Sequence, residues 1–297
     1  MPCEEKVRKL DRFMVNYWLE SLMVERLHQK SLDIEQTLQQ TKTDWSETFY
    51  IHLLRNFGFK VNSDPFEMLA RSLPLKYLAR HKDNLTQLEA LLFGQAGFLK
   101  DVTDDEYHSA LKKEYTFLKA KFDLKPLEKL VWRFLRLRPG NFPTIRIAQL
   151  AMLIHKSSFL FSKIIETETL SDITSYFSIE ASPYWKHHHH FGKKTSRKIS
   201  GKIGAESTHN FMINTVSPFL FLYGRLNAKE DYKERAIVFL TDLPPEQNAT
   251  IKNWDIAGIK ADNAAQSQAL LQLKKHYCDN KKCLNCMFGN KFISAIS

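Results

Sequence analysis

The sequence predicts an all-α fold, an irregular multi-helix bundle of about ten helices with little or no sheet. Three observations predict it. Apolar residues recur at helical spacing along much of the chain. Strictly alternating Val/Ile/Thr runs are nearly absent. Helix-start signals, a short polar residue followed by proline or an acid, punctuate the sequence repeatedly. With 297 residues, 43% of them hydrophobic and 21 of them Phe, the chain can bury one large core or two smaller ones.

From Glu4 to Thr41, Val7, Leu10, Met14, Trp18, Leu22 and Val24 recur at roughly helical intervals, which predicts one long helix or two in succession. A second helix opens near Thr43, carries Trp45, Phe49, Leu53 and Leu54 on one stripe, and stops at Gly58 in a left-handed cap. In "NSDPFEMLARSLP" Asp64 is the expected N-cap, Pro65 the first helical residue and Glu67 the third, with Pro74 closing the helix. "TDDEYHSALKKEYTFLKAKF" places Thr103 and Glu106 at capping-box spacing, with acids in the first turn where the helix dipole favours them, and ends near Asp123. Further helices are expected over 127–135, 143–156, 158–166, 169–178, 207–226, 229–240 and 262–277. No internal repeat of fixed period is present, which argues against a solenoid. The whole chain, 1–297, reads as a single helical domain. Its one clear composition shift, "SPYWKHHHHFGKKTSRKISGKIGAES", is a surface loop or a sub-boundary over 182–206.

Charge and targeting narrow the function classes. Lys and Arg number 43 against 33 Asp and Glu, a net +10 that favours polyanionic partners. The N-terminal "MPCEEKVRKLDRFMV" is too charged for a signal-peptide core, and the longest apolar runs, 159–161 and 219–223, fall far short of the roughly 20 residues a membrane span needs. The expectation is a cytoplasmic protein with no membrane association. Four Cys in a chain of this length form no disulfide framework, so metal binding or plain thiols are the alternatives.

Three stretches could carry chemistry. "HYCDNKKCLNCMFGNKF" holds Cys278, Cys283 and Cys286 as C-x4-C-x2-C, and thiolates two residues apart can grip one ion from a tight turn. The fourth ligand of a structural zinc would be His276 or the distant Cys3; the alternative is a tail docked through Leu284, Met287 and Phe288. The segment around "HHHH" forms the densest basic patch, Lys186, Lys193, Lys194, Arg197, Lys198 and Lys202, which suits phosphates or simply stays solvated. "WRFLRLRPGNFPTIRIAQLAMLIH" places Arg133, Arg136 and Arg138 before a Pro-Gly turn and Arg146 on the helix after it. Guanidinium forks there suit an anion, and the adjoining apolar residues suit buried ties between helices. No nucleophile–base pair, paired carboxylates, phosphate-gripping glycine loop or two-histidine helix motif is found. "GQAG" at 94–97 reads as a close helix contact.

"RPGNFPTIRIAQLA", "EALLFGQAGFL", "INTVSPFLFLYG", "PPEQNATIKNW" and "SQALLQLKKHYCDNKKCLNCMFGN" together resemble the uncharacterised bacterial family known as domain of unknown function 2851, best known from Bacteroidetes. The resemblance implies a Cys-Leu-x-Cys-x-x-Gly pattern at Cys283, Leu284, Cys286 and Gly289. It also implies an additional β-rich, nuclease-like N-terminal region in longer members, so that this chain corresponds to the helical remainder and does not catalyse on its own. The resulting expectation is a non-catalytic helical module that binds nucleic acid through Lys193, Lys194, Arg197, Lys198, Lys202, Arg136, Arg138 and Arg146. The alternatives are part of a metal-dependent nuclease-like enzyme, and an interaction scaffold for the β-rich region or a separate protein.

Overall fold

A computed structural model describes residues 4–294. It is 67% helical, with more helices than the ten expected, and among the described residues the only sheet is a two-stranded hairpin. Among the described residues no helix is long and apolar enough to cross a membrane. Contacts divide the chain into two compact units, residues 37–211 and the pair of segments 1–36 and 212–297. The division falls at 36/37 and 211/212; the basic stretch 182–206 lies inside the first of these units.

Within residues 37–211, the helix Trp45–Phe57 is capped by Asp44, whose side chain accepts from the Glu47 N–H at 3.0 Å, and it packs on the helix Ser63–Ser72. Gly58 between them is not the expected left-handed cap: its φ is −73°, and Phe59 takes the left-handed turn at +50°. Glycine is required at 58 because a Cβ there would fall 2.1 Å from the Asn62 carbonyl oxygen. Nor does Asp64 cap the next helix, which begins one residue earlier, at Ser63. The preceding Asn62 spends its amide on a distant strand of chain, donating to the Arg133 carbonyl and accepting the Arg133 N–H, both at 2.9 Å. Pro74 then leads into a further short helix, Leu75–Ala79.

The centre of this unit is the helix Leu85–Gln95, against which Glu106–Phe122 and Pro143–Lys156 pack. Every residue from Leu88 to Gln95 is buried, so the helix carries no polar stripe and its sequence has no helical periodicity to read. The helical contact expected at "GQAG" is present: a Cβ at Gly94 would lie 2.1 Å from Cγ of Tyr115. The expected helix over 127–135 is not formed beyond one short turn, Lys129–Val131. Its backbone and side chains bond elsewhere, the Leu127 N–H to the Gln95 carbonyl at 2.8 Å and the Trp132 indole N–H to the Ala96 carbonyl at 2.8 Å. Pro143–Lys156 runs as expected, starting on proline with its fixed φ. Leu160–Glu166, Leu170–Tyr176 and Ala205–Phe211 complete the unit's helices.

In the other unit, the helix Arg12–Gln40 supplies its residues up to 36, and Ser217–Leu226, Glu230–Asp242, Ala249–Ile256, Ala264–Gln272 and Met287–Ser294 supply the rest of the frame. Of two wide π-helical turns, Met212–Val216 divides what the sequence reads as a continuous helix over 207–226, and Leu273–Cys278 ends the one read over 262–277. Just after the first, Pro218 has no N–H to give back to the preceding turn. The carbonyl of Ile213 in that turn accepts from the Lys30 ammonium at 3.2 Å. That ammonium also donates to Asn214 Oδ1 at 2.7 Å and Gln268 Oε1 at 2.6 Å. Burial pushes the Lys30 amine down to about 7. At the second π turn, Gln272 and Tyr277 both donate to the Glu25 carboxylate, each at 2.8 Å.

Candidate nucleic-acid interface

The four-histidine run does not remain a loop. His188–His190 forms a short strand that pairs antiparallel with Lys193–Lys194 through an irregular register, His188 opposite Lys194 and His190 opposite Lys193. The turn is Phe191-Gly192, where Gly192 adopts the left-handed φ of +68° that a side chain disfavours. An isolated hairpin of this length is marginal in water, so its order must come from what it is fastened to.

The fastening is aromatic and acidic. Tyr184 stacks between Tyr107 at 4.1 Å and His188 at 3.9 Å between ring centroids. Phe191 inserts its ring among Phe93 at 5.1 Å, Trp185 at 5.1 Å and His108 at 4.9 Å. Asp105, the N-cap of Glu106–Phe122, accepts the His108 N–H on one oxygen at 2.9 Å. On the other it accepts the Gly192 N–H at 2.7 Å and the Tyr184 hydroxyl. Burial pushes the Asp105 carboxyl up, but these three donors outweigh it and hold the group below the usual aspartate range. Deeper in, Glu89 accepts from the Tyr107 and Ser182 hydroxyls, both at 2.7 Å. Burial still raises Glu89 above the ordinary carboxylate range.

The same hairpin reaches the arginine segment. His190 lies 4.7 Å from the ring of Phe134 and 5.3 Å from that of Phe142, and the Thr144 hydroxyl donates to the His189 carbonyl at 2.5 Å. Two basic stretches some 50 residues apart in sequence are thus joined through Phe134, Phe142 and His190. Burial holds His189 and His190 below the ordinary histidine range, and Lys193, His189 and Lys129 press His190 further down, so both are neutral at pH 7. The positive charge there comes from lysine and arginine. Lys193, Lys194, Arg197, Lys198, Lys202, Arg133, Arg136 and Arg138 are all exposed. Among the described residues none of them has a carboxylate within ion-pairing distance, whereas nearby Lys100 and Lys129 are paired with Glu128 and Asp101, and Lys186 with Glu180.

Arg146 stands apart from this set. It is 4% exposed, donates to Asn141 Oδ1 at 2.6 Å, Ser207 Oγ at 2.9 Å and Gln149 Oε1 at 3.1 Å, and lies over the Phe59 ring at 4.6 Å. Desolvation pulls its guanidinium down to about 10. With its head out of water and three of its N–H groups bonded internally, it is not part of the exposed basic surface and instead ties the 139–141 turn to the Ala205–Phe211 helix. Gln149 adds to the same seam by donating to the carbonyls of Gly201 and Lys202, at 3.1 and 3.2 Å.

The cysteine run lies in the other unit. Cys278 is half-buried at the end of its π turn, Cys283 is exposed, and Cys286 is buried. Among the described residues no three His, Cys, Asp or Glu side chains converge as a group able to hold a metal ion. Cys3, the proposed distant ligand, lies outside the described residues. His276 is half-buried, held below the usual histidine range by burial and by Lys275 and Arg26. What the spacing serves locally is a tight turn: Cys283–Asn285 is one short 3-10 turn, and a Cβ at Gly289 would fall 2.1 Å from the Cys283 carbonyl oxygen. The Cys-Leu-x-Cys-x-x-Gly pattern thus marks a close backbone crossing.

Sequence reasoning found the exposed cations but missed what positions them. Asp105, Tyr107, Tyr184 and Phe191 act through contacts across about 80 positions, and only the aromatic density of "SPYWKHHHHF" hinted at an anchor. No curated protein and no solved structure matches the chain. A family model described as protein of unknown function (DUF2851) matches residues 1–249, a span that holds the whole basic site and ends before the cysteine run, and the chain belongs to that family.

Proposed function

We propose that this protein is a non-catalytic helical module that binds nucleic acid along the surface formed by residues 133–138 and 186–202. The observation that supports the reading is a set of exposed lysines and arginines, without carboxylate partners among the described residues, on two segments fastened together by His190, Phe134 and Phe142. Pre-ordering matters: a hairpin already pinned loses little conformational entropy on meeting a phosphate backbone, whereas a floppy basic loop would lose much. Each cation that neutralises a phosphate releases a condensed counterion, so affinity should fall steeply with salt.

The test is titration of single-stranded and duplex oligonucleotides over a series of salt concentrations. Four phosphate contacts give a slope of log K against log salt near −3.6 for duplex or about −2.8 for a single strand. Replacing Lys193, Lys194, Arg197 and Lys198 together by Gln should abolish most of that slope. Salt-independent binding, or a slope unmoved by the replacement, would overturn the assignment. The metal-dependent enzyme reading draws no support from ligand geometry among the described residues.

A further inference from the structure

Within residues 37–211 the large aliphatic side chains left most in water are Val102, Leu130 and Leu135, at 94%, 95% and 82% exposure. Their surroundings differ in charge. Val102 lies between Asp101 and Asp104 in sequence. Leu130 follows Glu128 and Lys129, which are already paired with Lys100 and Asp101. Leu135 is flanked by cations, the exposed Arg133, Arg136 and Arg138, none of which has a carboxylate within ion-pairing distance among the described residues.

Leu135 is also held in place. The Leu137 N–H bonds to the Phe134 carbonyl at 3.2 Å and closes a turn with Leu135 and Arg136 at its tip. Arg136 takes a left-handed φ of +63° at the third residue, as in a type II turn, where glycine or asparagine is usual. A side-chain-bearing residue keeps that backbone only where its surroundings impose it. Here both legs of the turn are pinned. The Asn62 amide bonds the Arg133 N–H and carbonyl, each at 2.9 Å, and the Arg138 carbonyl accepts the Asn141 N–H at 2.8 Å. Between them the Phe134 ring packs 4.7 Å from His190, 5.2 Å from Phe142 and 6.1 Å from Phe98. A leucine is thus presented to water on a rigid mount among arginines, and little ordering is left to be done at binding.

A partner that covers this tip must offer an apolar face beside negative charge. A duplex keeps its base faces stacked, and opening a step costs about as much as burying one leucine returns, or more. An anionic bilayer offers both features, but one leucine is far shorter than a single acyl chain, which itself anchors only marginally. An unpaired strand sets open base faces beside phosphates at no such cost. Resting on the nucleic-acid reading above, we infer that Leu135 is a base-contacting residue and that this surface takes single-stranded nucleic acid, with Arg133, Arg136 and Arg138 on the adjoining phosphates.

Anisotropy titration of the full chain with oligothymidylate, an abasic oligomer of the same length and a mixed-sequence duplex tests this. Oligothymidylate should bind at least fivefold more tightly than either of the others. L135A should weaken oligothymidylate at least fivefold and leave the abasic oligomer within twofold. The slope of log K against log salt should not change, because an apolar side chain releases no counterion. L135F should bind oligothymidylate at least as tightly as the wild type, since a ring stacks on a base. Oligothymidylate affinity unmoved in L135A, L135F as weak as L135A, or abasic oligomer or duplex bound as tightly as oligothymidylate would each overturn the assignment and leave the basic surface standing. Absence of salt-dependent binding to all three ligands would remove both. Loss of binding to phosphatidylglycerol vesicles in L135A, with oligothymidylate affinity intact, would assign the tip to a lipid surface instead.

Discussion

Asp105 tests whether the basic surface is built or merely present. Asp105→Ala removes three acceptor contacts at once: the cap on the His108 N–H, the bond from the Gly192 N–H, and the bond from the Tyr184 hydroxyl. Losing a helix cap costs about 1 kcal/mol, and each hydrogen bond to a charged group contributes about 1.5–3 kcal/mol. The carboxylate is only half-buried, so water recovers part of this, and a loss of about 2–3 kcal/mol is expected. The loss should be local. Amide hydrogen exchange should accelerate at Gly192 and at Thr195, whose N–H bonds to the His187 carbonyl at 2.7 Å. No lysine or arginine is altered, yet nucleic-acid affinity should fall several-fold, because the hairpin must now be ordered at binding. Because the folded carboxyl lies below its ordinary range, its stabilisation is full above the unfolded value of about 3.9 and is lost as pH falls through the lower folded one. Unchanged exchange at Gly192 in Asp105→Ala would refute the anchoring argument, and unchanged affinity despite faster exchange would refute its link to binding.

Arg146→Ala leaves Asn141, Gln149 and Ser207 without their donor and should destabilise the chain by about 2–4 kcal/mol in urea unfolding, while the salt slope of nucleic-acid binding stays at its wild-type value. Arg146→Lys should recover little, since a single ammonium cannot replace the planar fork. Lys30 titrates at about 7 when folded and about 10.4 when unfolded, so the unfolded chain holds the extra proton between those values and stability should rise with pH across them. Lys30→Met should erase that rise in denaturation series at pH 7 and pH 9; an identical slope in the variant would refute it. Gly289→Ala forces a Cβ to 2.1 Å from the Cys283 oxygen and should raise protease susceptibility over 283–292, whereas Cys283→Ser, at an exposed thiol, should not.

Helix class and many boundaries were legible from local chemistry. Pro143 opens a helix because its φ is preset, Asp123 closes one in the left-handed conformation, and short polar caps precede several others. The buried helix Leu85–Gln95 was not legible, because a segment surrounded on all sides has no polar stripe to betray its period. Residues 127–135 failed in the opposite sense: their apolar spacing suits a helix, but Asn62 takes the Arg133 N–H that a helix would need, while Gln95 and Ala96 hold the Leu127 N–H and the Trp132 indole.

For the candidate site, the sequence by itself determined which side chains could carry positive charge, since composition and spacing are local properties. Only the tertiary structure decided which of them face water. Arg146, Arg136 and Arg138 are alike in sequence, yet the first is enclosed by Asn141, Gln149, Ser207 and Phe59 while the others stay exposed. Tertiary structure also turned a histidine run into a pinned hairpin, through Asp105 and Tyr107 some 80 positions earlier. The physical reason is that burial and hydrogen-bond competition depend on what the rest of the chain brings alongside, and no local pattern records that.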